Sequence, residues 1–567
     1  MPASRAGHVI LIALAAWAVT GCAPSHYKAQ ADRDVYAAID RKWPDDAGGR
    51  KDRYVADVDP TVHEPPTPRA LPGEGVLTLA DAVAVALDHN RPFQAEKDLL
   101  YLAGLNETFA AYQFAPHPLV SLAGFFRRDR FSEGPDQTSA GVEAAGAFQQ
   151  VLSTGATVSA DVLTGWIQVL SGEGSEGFHT LANATVVQPL LRGFGRDVVL
   201  EPLTQARRDT LYQIRTYSRA RRALAARVMA EYYQVLELLA VADSARANHE
   251  AMAAHAERMA NLANAGRVTE YEALDARQDR VEAHNDLLEA RRDYETMLDA
   301  FKQTLGIPTV TEIRLNPAEL HARWSLDLLD LERPEAAAID LALAYRLDLA
   351  NRRDRIDDAQ RHVEVAADAL GPGLSLVATG GVTSSSADNS FPGTDFDDTF
   401  SLALRFDAPL DRLLERNDYR TALLEVLQRR REYDEGVQLV ALEVRRALRD
   451  LQTAAERRRV LEDQLAPAMR RLQSATKLLQ YGRANVEDVL DAQQDLFDLQ
   501  VELADARTDY ATAVVNLYRD TGVLHVHQDG QCDGLQRPAP QTAPADDPVD
   551  ARGDDRGDDA DHRGLPR

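Results

Sequence analysis

The sequence predicts a mixed α and β fold made of two structural repeats, in which short strand sets are carried on long coiled-coil helices. Three observations predict it. The first is an internal duplication. Leu274-Asp275-Ala276, Gln278-Asp279, Leu287, Ala290-Arg291, Asp293-Tyr294 and Gly306 recur as Leu490-Asp491-Ala492, Gln494-Asp495, Leu503, Ala506-Arg507, Asp509-Tyr510 and Gly522. The offset stays constant from Gly266-Arg267 and Gly482-Arg483 onward, so the copies are one rigid element used twice. A period this long is not that of a solenoid. The second is helix length. The stretch from Val198 to Ala265 holds no Pro after Pro202 and, at 1.5 Å per residue, reaches roughly 100 Å. The third is a heptad of Val489, Leu496, Leu503, Tyr510 and Leu517, with Leu490 and Phe497 beside it, which reads as a coiled-coil seam.

Composition agrees. Aromatics make up 6% of the 567 residues, while Ala, Leu, Arg, Asp and Glu dominate. The net charge is −26, mostly a solvated helical face, and nucleic acid is not expected as a partner because phosphate binding needs a basic surface.

At the N-terminus, Arg5 precedes the apolar run His8 to Val19, which is too short to span a bilayer. Val19-Thr20-Gly21-Cys22 follows and resembles a bacterial lipobox. Residues 1–21 are therefore expected to be a lipoprotein signal peptide, with Cys22 the lipidated first residue of the mature chain. The other reading is an ordinary signal peptide with a chance Cys. Residues 22–75, polar and then Pro-rich, are expected to form a lipidated, extended arm. With Cys22 acylated, Cys532 has no internal disulfide partner.

The order helix, strands, long helix, turn, helix then runs twice, over 76–306 and 335–523, with 307–334 as an equatorial linker. Thr78 N-caps a helix to about Phe114, ended by Pro116 and Pro118. Strand-like runs lie near 119–131, 138–150, 155–163 and 179–188, with a turn at Ser153-Thr154-Gly155. In the second repeat, one helix is expected over Glu335 to Leu370, strands over 374–384 and 397–408, then helices to about Gln480 and over Val486 to Asp520. Residues 524–567 are expected to be a disordered acidic tail. Phe400, Leu402, Leu404 and Phe406 alternate with Ser401, Ala403, Arg405 and Asp407. That pattern fits a transmembrane barrel or a half-buried sheet in a soluble sandwich alike. The helices, too long for a compact domain, favour the barrel.

Four elements over residues 76 to 523 resemble the outer-membrane factor family of TolC-like channels, here of the lipoprotein type. They are Leu77-Thr78-Leu79-Ala80-Asp81-Ala82-Val83 with Ala86-Leu87 and Asn90, then Gln188-Pro189-Leu190-Leu191-Arg192-Gly193, then Tyr481-Gly482 with Val486, Asp488, Val489, Leu490, Asp491 and Ala492-Gln493, and the duplication itself. The resemblance implies a homotrimer in the outer membrane, each protomer giving four strands to a twelve-stranded β-barrel continued by a helical α-barrel across the periplasm. It implies an exit duct for a tripartite efflux or type I secretion system, with a membrane-fusion adaptor and an inner-membrane pump as partners. The rival is a soluble periplasmic coiled-coil adaptor or scaffold. The first repeat departs from this plan by about 40 extra residues, mostly around 131–180, expected as an outward-facing hairpin rather than extra barrel strands.

No catalytic constellation or cofactor site is expected. His525, His527 and Cys532 are an incidental cluster rather than a metal site. The turns at Gly266, Arg267, Gly482 and Arg483 are expected at the adaptor-contacting tip. Asp488 and Asp491, one helical face apart, match the family's gate carboxylates, with Glu272 and Asp275 as their first-copy equivalents. In a trimer each would form a ring that attracts cations.

Overall fold

The structure, a computed structural model, describes residues 24–43, 76–130, 136–171, 177–321, 335–386, 395–481, 483–527 and 530–534. The expected signal peptide, Cys22 and Gly482 lie outside the described residues, as do 44–75 of the arm, 322–334 of the linker and 535–567 of the tail.

Chain order follows the duplication. After helix α1 (Pro24–Asp40), the first repeat opens with strand β1 (Val76–Leu77) and helices α2 (Leu79–His89) and α3 (Arg91–Tyr112). Strands β2 (His117–Asp129), β3 (Gln137–Val151), β4 (Thr157–Ser171) and β5 (Gly177–Pro189) come next. The short α4 (Arg196–Val199) leads into α5 (Glu201–Asn264) and the return helix α6 (Glu270–Leu305). After β6 (Arg314–Leu315), the second repeat holds α7 (Glu335–Tyr345), α8 (Leu347–Ala369), β7 (Gly373–Ser386), β8 (Asp395–Asp407), α9 (Leu413–Gln480) and α10 (Val486–Asp520). Strands β9 (Leu524–Val526) and β10 (Cys532–Gly534) follow.

The two return helices begin and end where the sequence places them, because their caps are chemically explicit. Thr269 accepts from the Glu272 N–H at 3.2 Å while the Glu272 carboxylate accepts from the Thr269 N–H at 2.7 Å. Asn485 and Asp488 repeat this capping box at the start of α10. At the other end Gly306 and Gly522 adopt φ of 78° and 74°, the left-handed geometry of a helix C-cap.

Each expected opening helix is two helices. The first breaks at Asn90, whose side chain accepts from the Phe93 N–H at 2.9 Å and donates to the Thr304 carbonyl at 2.8 Å. The second breaks at Arg346, held by ion pairs to Asp348 and Glu443. In both repeats the C-terminal glycine of the return helix packs on the break. A Cβ on Gly306 would stand 2.1 Å from the His89 oxygen, and one on Gly522 would stand 3.0 Å from the Tyr345 oxygen.

Three further expectations change. Residues 24–40 of the arm are helical, not extended. Val35, Ala38 and Ile39 recur at helical spacing and are buried, with Val35 against Gly104 of α3. Lys42 pairs with Glu107, and the Trp43 ring meets Tyr217 edge-on. The tail does not begin as a disordered segment at 524. Strands β9 and β10 pair antiparallel, and Leu524 and Val526 are buried in the main core. The third change is the sheet, which has six strands in the order β2-β3-β4-β5-β7-β8 rather than four.

The core sits where the first half of α5 and the middle of α9 meet α2 and the C-terminal ends of α6 and α10, around Tyr217, Tyr232, Phe301 and Leu517. Parallel pairing of β1 with β6 ties the starts of the two repeats together. A buried polar seam then welds α5 to α8. Arg215 pairs with Asp354 at 2.6 Å, Arg361 with Glu201 at 2.9 Å, and Arg208 with Asp358. Charges this deeply placed survive because each has its partner.

Candidate functional site: sheet wall and helical tip

Two regions carry the features a duct needs. In an antiparallel pair, directly opposed residues point to the same side of the sheet. Following the register across all six strands gives one side formed by Val120, Leu122, Phe126, Val142, Phe148, Val162, Trp166, Val186, Leu376, Leu402, Leu404 and Phe406. The other side carries Ser121, Glu143, Asp161, Asn183, Thr379 and Arg405. Large residues of the apolar side are uncovered within one protomer: Val120 is 82% exposed and Phe126 69%. Two of its polar residues, Thr164 and Thr180, satisfy each other at 3.0 Å, and others, among them Arg128, Gln150, Gln188 and Asp398, lie toward the strand ends. Phe126, Trp166 and Phe178 lie toward one end of that side, Phe148 and Phe406 toward the other, as in the aromatic girdles of membrane barrels.

Strands β3 and β4 are full members of this sheet. Their shared turn tucks against the strand-exit motif. Gly155 has φ of 88°, and a Cβ there would stand 2.4 Å from the Gly193 oxygen. The Gln188 amide donates to the Thr154 carbonyl at 3.3 Å. The same motif bonds the second repeat: the Leu190 N–H donates to the Leu374 oxygen at 2.7 Å and the Gly193 N–H to Asp368 at 2.8 Å.

At the far end of the helices are the tip turns. Gly266 has φ of 70°, and the Arg267 N–H donates to the Leu262 oxygen at 2.9 Å, closing a Schellman turn. The Arg483 N–H makes the same bond to the Leu478 oxygen at 2.9 Å. Arg267 and Arg483 are both exposed.

The four expected gate carboxylates are exposed and start the return helices. Glu272 and Asp488 serve as capping acceptors, and hydrogen bonds from the Thr269 backbone and hydroxyl hold the Glu272 carboxyl below its ordinary range. Asp275 and Asp491 stand one turn further in. Beyond these two positions the ladder continues at alternating spacings of three and four. Asp279, Glu282, Asp286, Glu289 and Asp293 of α6 match Asp495, Asp498, Glu502, Asp505 and Asp509 of α10, a carboxylate at every repeat-equivalent position. The constant offset was the signal that would have found them. Burial and then the neighbours Asp275 and Glu282 raise the Asp279 pKa. Asp286 is raised by burial, by Glu282 and Glu289, and by Asp498 of the other repeat. Deeper in, burial and then Asp505 push Glu237 up to about 7. Arginines of α9 offset part of this charge: Arg457 holds Asp505 and Asp509 at 2.9 and 3.0 Å, and Arg471 pairs with Asp495.

The His525 and His527 rings meet edge-on at 4.8 Å. Among the described residues no group of three or more His, Cys, Asp or Glu side chains is arranged to hold a metal ion. No described helix is long and apolar enough to cross a membrane.

Residues 338–523 match the family model described as outer membrane efflux protein. The matched stretch covers about a third of the chain and runs from within α7 to just past the end of α10, with β7 and β8 inside it. No curated protein matches the sequence. Among solved structures, the fold is shared with three channels, each covering 78% of this chain at 16% identity. They are the Campylobacter jejuni CmeC outer membrane channel (TM-score 0.57, 85% of that chain), the Vibrio cholerae outer membrane protein VceC (0.56, 96%) and the Neisseria gonorrhoeae MtrE outer membrane channel in its open state (0.56, 88%). The two repeats together reproduce that mixed helical and sheet fold.

Proposed function

We propose that this protein is a trimeric outer-membrane channel, the exit duct of a tripartite efflux or type I secretion system. The observation that carries the reading is the pairing, in one chain, of an uncovered apolar sheet side with helices of 64 and 68 residues. The sheet supplies a lipid-facing wall. The helices, roughly 100 Å at 1.5 Å per residue, supply a conduit beneath it. A soluble adaptor has no use for the exposed Val120, Phe126 and Leu404 side chains.

In this reading the two repeats keep their sequence boundaries, residues 24–40 of the N-terminal arm are a helix clamped to α3, and β9 and β10 belong to the ordered body. Cys22 carries the lipid. Gly266, Arg267, Gly482 and Arg483 meet a periplasmic adaptor. Asp488, Asp491, Glu272 and Asp275 form the periplasmic gate, where carboxylates from three protomers approach one axis. No step calls for catalysis or a cofactor.

Fractionation tests the reading. The chain is expected in the outer membrane, released only by detergent, and trimeric by native mass spectrometry. Release by salt or carbonate washing as a monomer would overturn it. Mass spectrometry of the mature N-terminus tests the anchor separately, since Cys22→Ser removes an acyl chain but leaves the barrel to hold the protein in place.

A further inference from the structure

The hairpin β3–β4 has no counterpart in the second repeat, which supplies two strands to the sheet where the first supplies four. It is not appended to an edge. It sits between β2 and β5, with thirteen residue pairs to β2 in unbroken register from His117↔Gln149 to Asp129↔Gln137. Its alternation keeps phase with the neighbours: Val142 and Trp166 lie in one row with Phe178, and Glu143 lies opposite Gly165 on the polar side. At Gly165 the His179 ring fills the space a Cβ would occupy, 2.3 Å from its position. Without side-chain bulk at that point, the rows of β3, β4 and β5 pack side by side.

Strands β2 and β8 are the two edges of the sheet, and each has 13 residues. All neighbours run antiparallel, so with six strands β8 of one copy and β2 of the next also run antiparallel. Identical protomers therefore close without a parallel mismatch.

We propose that the occupants of these edges are two further copies of this chain and that the wall they close has eighteen strands, which makes the outer-membrane end of the duct wide enough for cargo bulkier than a four-strand protomer would pass. The proposal rests on the trimeric channel reading above. With strands about 4.8 Å apart and tilted about 40°, eighteen of them give a backbone diameter of about 35 Å, against about 24 Å for twelve. The open cross-section then rises at least about twofold, because side chains line both walls to the same depth.

The experiment is single-channel recording in planar bilayers with polyethylene glycols of graded size. The full-length chain is compared with a variant lacking residues 134–173, which leaves β2 free to pair antiparallel with β5. With the polymers added on the sheet side only, the expected result is a smaller exclusion size at that mouth for the deletion variant, while conductance, set in series by the helical tip, is not the readout. Equal exclusion size at the sheet side in the two would overturn the proposal. A deletion variant that fails to insert is covered by a second measurement on intact channels in a Cys532→Ser background. A membrane-impermeant thiol reagent is expected to label Asp161→Cys and reduce the current, while Val162→Cys reacts only with a lipid-phase reagent. Aqueous labelling of both positions would place the hairpin outside the wall and overturn the proposal. A chain that forms no trimeric channel at all would instead sink the function reading.

Discussion

Glu237 shows how one residue ties the packing of the long helices to pH. It lies on α5, half-buried, facing Asp505, Thr508, Asp509 and Arg457, and its carboxyl is pushed up to about 7 by burial and then by Asp505. In the unfolded chain the same group titrates near 4.5. Between those values the folded protein holds a proton that the unfolded chain has lost. Stability attributable to Glu237 therefore falls as pH rises through that window and levels off above it. Glu237→Gln removes the slope. In detergent the variant is expected to unfold at a higher temperature than the parent at about pH 8 and at a similar temperature at about pH 4.5. A parallel shift at both would mean that packing, not titration, separates them.

At the scale of elements, the helix ends and the breaks they pack on act as units. Gly306 caps α6 and lies on the His89 carbonyl, so Gly306→Ala meets both a backbone conformation that L residues avoid and a contact no Cβ makes. A loss of about 1–3 kcal/mol is expected, read as a lower unfolding temperature. Gly146→Ala, at a position with open space around it, is the matched control. The same elements explain what was legible in the sequence. Thr269, Asn485, Gly306 and Gly522 announce their caps, so the return helices could be placed to the residue. The junction at Arg346 could not, because its break depends on Glu443, 97 residues away; the one at Asn90 is signalled locally by its cap to Phe93 and by Pro92, with Thr304 as an added partner. Helix α1 was hidden by the Pro-rich stretch after it, although Val35, Ala38 and Ile39 already showed the period. The hairpin β3–β4 was visible as strands but not as wall. Alternation alone does not say which neighbours a strand will have, and register with β2 and β5 decides that. At the candidate site, the paired glycines follow from the duplication, whereas the upper carboxylates read in sequence as an ordinary solvated helix face, because exposed charge carries no mark of which side it lines.

At the scale of the whole molecule, the acidic tip is expected to set ion preference. The quadruple variant Glu272→Gln, Asp275→Asn, Asp488→Asn, Asp491→Asn keeps capping acceptors at Glu272 and Asp488, so the return helices should still start in place. Its reversal potential in a salt gradient is expected to show a weaker cation preference, with trimer yield unchanged because the sheet and the helical core lie elsewhere. An unchanged potential would assign these side chains to helix capping and solvation alone.

The uneven strand count also records how such a wall can change over evolutionary time. An antiparallel ring tolerates no odd addition, since a single inserted strand would force two parallel neighbours at every seam. Material enters only as a hairpin, and in a trimer each hairpin would add six strands. The two repeats share tips, caps and junctions but not this hairpin, so its gain or loss came after the duplication. Calibre in this architecture is thus inherited in discrete sizes, and the helical half of the chain is left untouched when the size changes.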